Sequence, residues 1–328
     1  MTATEARSLA AEAADGALAA RFGQELERLW PEGGRLGLAV SGGPDSLAML
    51  LLAAAAIPGQ FEVATVDHGL RAESAAECAM VARICAERAV PCEVLPVHVA
   101  AGNVQAEARA ARYSALADWA ARRGLSAVAT AHHADDQAET LMMRLNRGSG
   151  VSGLAGVRER AMIPPFPVPV IRPLLTFRHA ELAAMVAAAG LAAAQDPSNT
   201  SDRYDRARLR KALAGSHWLD PLALTASAAH LAEADEALEW VTEREWNERV
   251  AGSAGTEDGF RYRPLAPRAV AMRVVARIVA AFGGHARGQD LARLVGRLEA
   301  GKGGNVAGVL ATPKGGDWLF RREPARRR

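Results

Sequence analysis

Residues 39–50 read AVSGGPDSLAML, and no other stretch restricts the fold of this chain as tightly. A short apolar run, RLGLAV from residue 35, stops at two glycines, a proline and an aspartate, and a longer apolar run, SLAMLLLAAAA, begins at once. The first run suits a strand and the second a helix, so the chain must pass from one to the other within SGGPD. Gly42 and Gly43 permit positive φ and close backbone approach, and Pro44 suits the first turn of a helix. The N–H groups at a helix start carry about half a positive charge. Ser41, Gly42, Gly43, Pro44, Asp45 and Ser46 therefore form a candidate anion cradle. It is not the G-x-x-x-x-G-K-[ST] loop, because an acid, Asp45, stands where that motif needs its lysine. An acid beside a phosphate nest has a task if it holds a magnesium ion that bridges to the phosphates. The simpler alternative, a tight turn that merely needs glycine, accounts for the glycines but not for Asp45 and Ser46.

The same alternation continues downstream. FEVATVD, CEVLPVH and SAVATAH read as further strands, and segments near 46–56, 73–89, 103–123 and 134–146 read as helices. Strands apolar on both parities, separated by helices, predict an α/β fold with a doubly wound, mainly parallel sheet. Ligands in such sheets lie beyond the carboxyl ends of the strands, so the residues just after each strand are the ones to examine. The glycine- and proline-rich passage 148–170 reads as a long, partly ordered loop over the site. TFRHAELAAMVAAAG reads as a helix with Thr176 as N-cap and Gly190 just past its end. Beyond residue 215, Leu231, Ala234, Leu238 and Val241 fall at helical spacing, further helices are expected near 265–282 and 288–300, and the last stretch suits a small hairpin. The expected domains are 1–215, with an N-terminal helix about 4–29, and 216–328, a smaller, mostly helical appendage.

Composition matters here for what it excludes. The longest apolar run, residues 47–57, falls short of the roughly 20 residues that span a bilayer. The N-terminus lacks the basic and apolar regions of a secretory signal. Cys78, Cys85 and Cys92 form no CxxC pair and leave an odd count, so neither a disulfide framework nor a metal–thiolate site is expected; a cytoplasmic protein with no membrane contact fits. Charge is uneven: residues 261–328 carry 15 basic and 4 acidic groups, and 36 of the 39 basic residues of the chain are arginine. Such a cationic tail suits a polyanionic partner, although a solvated basic end is the plainer reading.

The post-strand segments hold the remaining chemistry. After the second strand come Asp67 and His68; after the third, Arg109 and Arg112 share a helical face; after the fourth, Asp136 and Glu139 share one helix turn. That acid pair can bind an ammonium, a metal or only water. His132 and His133 are adjacent, not i and i+4, so no zinc motif is present. DRYDRARLRK, from residue 202, alternates acids and arginines at helical spacing, which suits either a solvated helix or phosphate contacts.

SGGPDS resembles the signature of the PP-loop superfamily of ATP pyrophosphatases. With VDHGLRAES, NVQAEARAARY, TAHHADDQAET, RPLL and QDPSNTSDRYDRARLRKAL, in that order, residues 35 to 215 are similar to the tRNA(Ile)-lysidine synthetase family. The resemblance implies a ligase that uses ATP and Mg2+ to adenylate C2 of cytidine 34 in tRNA(Ile) with a CAU anticodon, then attaches the amine of free L-lysine. It implies Asp45 as metal ligand, Arg112 or Arg206 as the arginine facing phosphate, and Asp136 and Glu139 as the lysine-binding acids, Asp136 also taking the proton. It further implies Asp67, His68 and His133 around the cytidine, and Arg203, Arg208, Arg210 and Lys211 toward tRNA. Oligomeric state stays open, a homodimer included. The competing readings are a PP-loop tRNA thiolase, which would need a reactive cysteine or a bound cluster, an amidotransferase, and a non-enzymatic nucleotide or RNA binder.

Overall fold

The computed structural model describes residues 3–69, 72–97, 104–194, 205–216, 218–255 and 259–324. These residues form two compact units, 1–232 and 233–328. In chain order the first unit contains α1 (Ala3–Leu29), β1 (Leu36–Ala39), α2 (Pro44–Ala56), β2 (Phe61–Asp67), α3 (Ala72–Glu87), β3 (Cys92–Pro96), α4 (Val104–Arg123), β4 (Ala127–Thr130), α5 (Ala134–Asn146), α6 (Val151–Leu154), β5 (Arg160–Ala161), β6 (Val170–Ile171), α7 (His179–Ala188) and α8 (Asp205–Ala214). The six strands form one sheet in the order β3-β2-β1-β4-β6-β5. All neighbours are parallel except β5, which runs antiparallel to β6 at the edge.

Strand parity explains why both faces are covered. Leu36, Leu38 and Val40 of the first strand and its exit, with Phe61 and Val63 of β2, pack on one face with Phe22 and Leu26 of α1, Leu47 and Leu50 of α2, and Leu182 of α7. The opposite face receives Trp119, Leu116 and Ala120 of α4 with Val128. Gly37 lies on that second face, where an added Cβ would approach Trp119 to 2.7 Å; only a residue without a side chain lets the α4 tryptophan lie against the strand. The order places β2 on one flank of β1 and β4 on the other. The exits of β1 and β4 are consequently neighbours at a topological switch point.

The passage 148–170 contains α6 and the edge strand β5 and runs into β6, whose Val170 and Ile171 are fully buried. It is pinned at Val157 by the Gln137 side chain, which accepts from the Val157 amide at 2.8 Å and donates to the Val157 carbonyl at 2.9 Å. Thr176 does not cap α7, whose N-cap is Arg178; the Thr176 hydroxyl is buried two residues earlier. Gly190 does follow that helix, with φ +68. The compact units meet within α9, which runs over Pro221–Arg249.

The second unit takes the end of α9, then β7 (Val250–Gly252), β8 (Phe260–Tyr262), α10 (Arg268–Ala281), α11 (Gly288–Glu299), β9 (Gly304–Val306), β10 (Val309–Lys314) and β11 (Asp317–Arg322). Its helices accompany a five-stranded antiparallel sheet, β7-β8-β11-β10-β9, larger than the hairpin expected from sequence. Val274, Ile278, Leu294 and Val295 of the helices share a core with Phe260, Tyr262 and Phe320 of the sheet. Glu245 is buried and accepts from the Tyr262 hydroxyl at 3.1 Å and from the amides of Leu265 and Ala266 at 3.0 and 3.2 Å.

Candidate active site

The turn after β1 is built as its sequence requires. Gly42 takes φ +86, and an added Cβ there would meet Met80 Cε at 3.0 Å. Gly43 is the N-cap of α2 and Pro44 opens the helix. Ser46 Oγ donates to the Gly43 carbonyl at 2.9 Å and accepts the Ser41 amide at 3.2 Å. The Ser41 amide is therefore turned inward, and Pro44 has none to offer. The candidate anion cradle narrows to the N–H groups of Gly42, Gly43, Asp45 and Ser46.

Across the switch point, His133 caps α5. Its Nδ1 accepts the Asp136 amide at 3.4 Å while the Asp136 carboxylate accepts the His133 amide at 3.4 Å, a reciprocal box made with histidine in place of the usual hydroxyl. The same buried imidazole places Nε2 3.5 Å from Asp45 Oδ2 and 3.4 Å from Asp136 Oδ2. Burial opposes its charge, yet Asp135, Asp136 and Asp45 together lift its pKa above the ordinary histidine value. From the start of α7, His179 Nδ1 lies 2.7 Å from Asp45 Oδ1, and that bond raises the His179 pKa as well. Asp135 is half-buried, which pushes its pKa up. Contact with His133, the His179 amide at 2.8 Å and Arg178 at 3.3 Å outweigh this and hold it well below the usual carboxylate range.

Asp136 and Glu139 do share a face of α5, and α8 lies over them. Arg206 reaches Glu139 with Nε at 2.6 Å and Asp136 at 2.8 Å; Arg210 reaches Glu139 with Nε at 2.6 Å. Glu139 is 1 % exposed, so its carboxylate needs cations that water cannot replace. Arg206 and Arg210, expected at phosphate and tRNA, are engaged by these acids for that reason. Arg208 and Lys211 are exposed on α8, and Arg203 lies outside the described residues.

A cationic wall stands on the same edge of the sheet. Arg112 and Arg109 of α4 lie 5.7 and 4.6 Å from the Tyr113 ring centroid, and Arg109 donates to the Tyr113 hydroxyl at 2.7 Å. Arg172, just past β6, is 3 % exposed, and its Nε has no hydrogen-bond partner among the described residues. Burial lowers the pKa of both Arg112 and Arg172. His132, bonded to Thr130 Oγ1 at 3.0 Å, is pulled down to about 4 by burial, with Arg172, Arg112 and Arg109 adding to the effect against Asp136. It is a neutral histidine at the strand end.

Asp67 closes the turn after β2: Oδ1 accepts Ser74 Oγ at 2.7 Å and the Gly69 amide at 3.0 Å, and these bonds lower its pKa. His68 is half-buried beside it. Both sit at the carboxyl edge, but Asp67 has a local task in the turn. Sequence reasoning assigned no separate role to Asp135, Arg178, His179 or Arg172, which stand only within TAHHADDQAET, TFRHAELAAMVAAAG and RPLL. Asp135 was legible in the acidic start of α5; a single histidine at the head of α7 gave no signal.

Residues 17–216 match the PP-loop domain family ATP_bind_3. The chain is 51% identical over 314 residues to a tRNA(Ile)-lysidine synthase of Novosphingobium aromaticivorans, covering 94% of this chain and 95% of that one. A tRNA(Ile)-lysidine synthase of Zymomonas mobilis subsp. mobilis is 39% identical over 305 residues, with 91% of each chain covered. Among solved structures, the U34-tRNA thiolase NcsA of Methanococcus maripaludis, with its [4Fe-4S] cluster, superposes with a TM-score of 0.55 at 18% identity, covering 66% of this chain and 80% of that chain. That likeness bears on the fold alone.

Proposed function

The chain belongs to the tRNA(Ile)-lysidine synthase family of ATP-using PP-loop enzymes, and from that premise we propose that it joins free L-lysine to C2 of cytidine 34 in tRNA(Ile) with a CAU anticodon, releasing AMP and pyrophosphate. The observation that carries the reading is the meeting of Asp45, at the head of α2, with His133 and Asp136, at the head of α5, across the switch point of the sheet.

C2 of cytosine is a poor electrophile because two nitrogens feed electrons into it. Converting its oxygen to an adenylate supplies AMP as leaving group. The turn amides and the N-terminus of α2 face the phosphates of ATP, and Arg112, with Arg109 and Arg172 beside it, meets charge that builds on phosphate oxygens. Asp135, Asp136 and Glu139 are engaged by guanidiniums, and Asp45 is the carboxylate that would hold magnesium; when bound the ion would supply charge neutralisation and orientation.

Lysine arrives as an ammonium, with a reference pKa of about 10.4, and must lose a proton before attack. Asp136 is the carboxylate that meets this amine, since it keeps 16% side-chain exposure against 1% for Glu139. Glu139 holds Arg206 and Arg210 over the site. The thiolase alternative is disfavoured by the cysteines: Cys78 and Cys85 are buried in α3, and Cys92 opens β3 at the amino end, opposite the edge that carries the acids. No helix among the described residues is long and apolar enough to cross a membrane, and a cytoplasmic setting matches the substrates proposed.

The test is direct. Purified protein, ATP, Mg2+, labelled lysine and tRNA(Ile) bearing CAU should give labelled tRNA with AMP and pyrophosphate, and Asp45→Asn should reduce incorporation at least a hundredfold. Formation of ADP and orthophosphate, or full activity of the variant, would refute the proposal.

A further inference from the structure

We propose that Trp218 is the ring on which a base flanking cytidine 34 stacks, so that the connection between α8 and α9 holds the unpaired anticodon strand at the rim of the active site. The inference rests on the reading of the chain as a lysidine-forming enzyme and names a side chain that positions its RNA.

Trp218 is 83% exposed, whereas Trp30 and Trp119, the other tryptophans of the first unit, are 6% and 0% exposed. The backbone is fixed on both sides of it. Upstream, the Gly215 and Ser216 amides close the end of α8 on the carbonyls of Lys211 and Leu213, at 3.1 and 3.0 Å. Downstream, Asp220 Oδ1 accepts the Leu222 amide at 3.0 Å where α9 begins and stands 3.6 Å from Arg178, which itself reaches Asp135 at 3.3 Å. One turn into α9, Thr225 Oγ1 donates at 3.3 Å to the carbonyl of Ala134, the first residue of α5. Trp218 therefore stands two residues from a carboxylate that is tied to the wall of the site.

The surroundings select the partner. Residues 206–219 hold Arg206, Arg208, Arg210 and Lys211 and no acid, and Arg208 and Lys211 are exposed on α8. A ring beside such a helix suits single-stranded RNA, whose phosphates follow the cations while its bases stack on aromatic faces. A protein interface buries roughly 800 Å2 on each side, and one tryptophan offers at most about 250 Å2. Leu222, 41% exposed on the first turn of α9, does not make up that difference. A single base does not need it.

The test is filter binding of tRNA(Ile) bearing CAU to the full chain at several salt concentrations. Trp218→Ala should raise the dissociation constant about fivefold or more. The log–log salt slope should not change, because a ring is lost and no phosphate contact with it. Trp218→Phe should recover most of the affinity and Trp218→Lys should not. An abasic residue on one side of cytidine 34 should weaken wild-type binding by a similar factor without weakening Trp218→Ala further. Melting temperature and ATP affinity by calorimetry should keep their wild-type values. Wild-type tRNA affinity in Trp218→Ala, equal recovery by Trp218→Lys, or a changed oligomeric state of Trp218→Ala in sedimentation would overturn the inference; the reaction stands as long as the wild-type chain puts labelled lysine into the tRNA. Absence of that label would remove the reaction and this inference together.

Discussion

Replacing Arg206 and Arg210 by alanine, singly and together, tests how the acid pair on α5 is held. Glu139 is 1 % exposed and accepts three guanidinium bonds, from Arg206 Nε and Arg210 Nε at 2.6 Å each and from Arg210 Nη2 at 3.3 Å. Either single variant leaves the carboxylate one short charge-assisted bond. The arginines are 47% and 42% exposed, so solvent screens each bond, and a single loss should cost about 1–2 kcal/mol. The double variant strands a buried carboxylate without a cation, for which about 3–5 kcal/mol is expected. The two effects should therefore couple by about 1 kcal/mol, and the melting temperature of the double variant should fall by roughly 10 °C. Urea and thermal melts of the four proteins give the cycle. Additivity to within about 0.3 kcal/mol would show that the arginines do not share one buried charge.

Gly42→Ala must place a Cβ at φ +86 and 3.0 Å from Met80 Cε; a loss of about 1–2 kcal/mol is expected, with ATP affinity by calorimetry down at least tenfold, and wild-type affinity would count against the cradle. Glu62 is buried under a two-pronged contact from Arg123, at 2.7 and 2.9 Å, and a third bond from Arg35 at 2.7 Å, which lower its pKa. Its stabilisation is present above the unfolded value of about 4.3 and is lost as pH falls through the lower folded value. Glu62→Gln should flatten that part of the acid limb in denaturant melts between pH 2 and 6, and an unaltered limb would contradict the assignment. For the basic end, Lys302, Lys314 and Arg321 are exposed in the second unit; converting all three to Gln should reduce the log–log salt slope of tRNA binding by about 2, and an unchanged slope would remove them from the RNA contact.

What the sequence determined by itself is local or periodic. Apolar parity fixed which strands are buried on both faces, and Gly42, Gly43 and Pro44 fixed where the first strand must turn into a helix, because backbone conformation and pleat depend on nearest neighbours. The order of segments from SGGPDS to RLRK was enough to identify the family. Only the tertiary structure decided what each charged group meets. Asp136 and Glu139 were visible as a pair on one turn, but the arginines over them come from α8, about 70 residues later, and the partner of Asp45 is His179, 134 residues away. The pKa of His132 is lowered and that of His133 raised although the two are adjacent, since one ring is buried beside arginines and the other meets aspartates. Burial and Coulomb interactions act through space across elements that the sheet order brings together, and no short-range pattern in the chain encodes them.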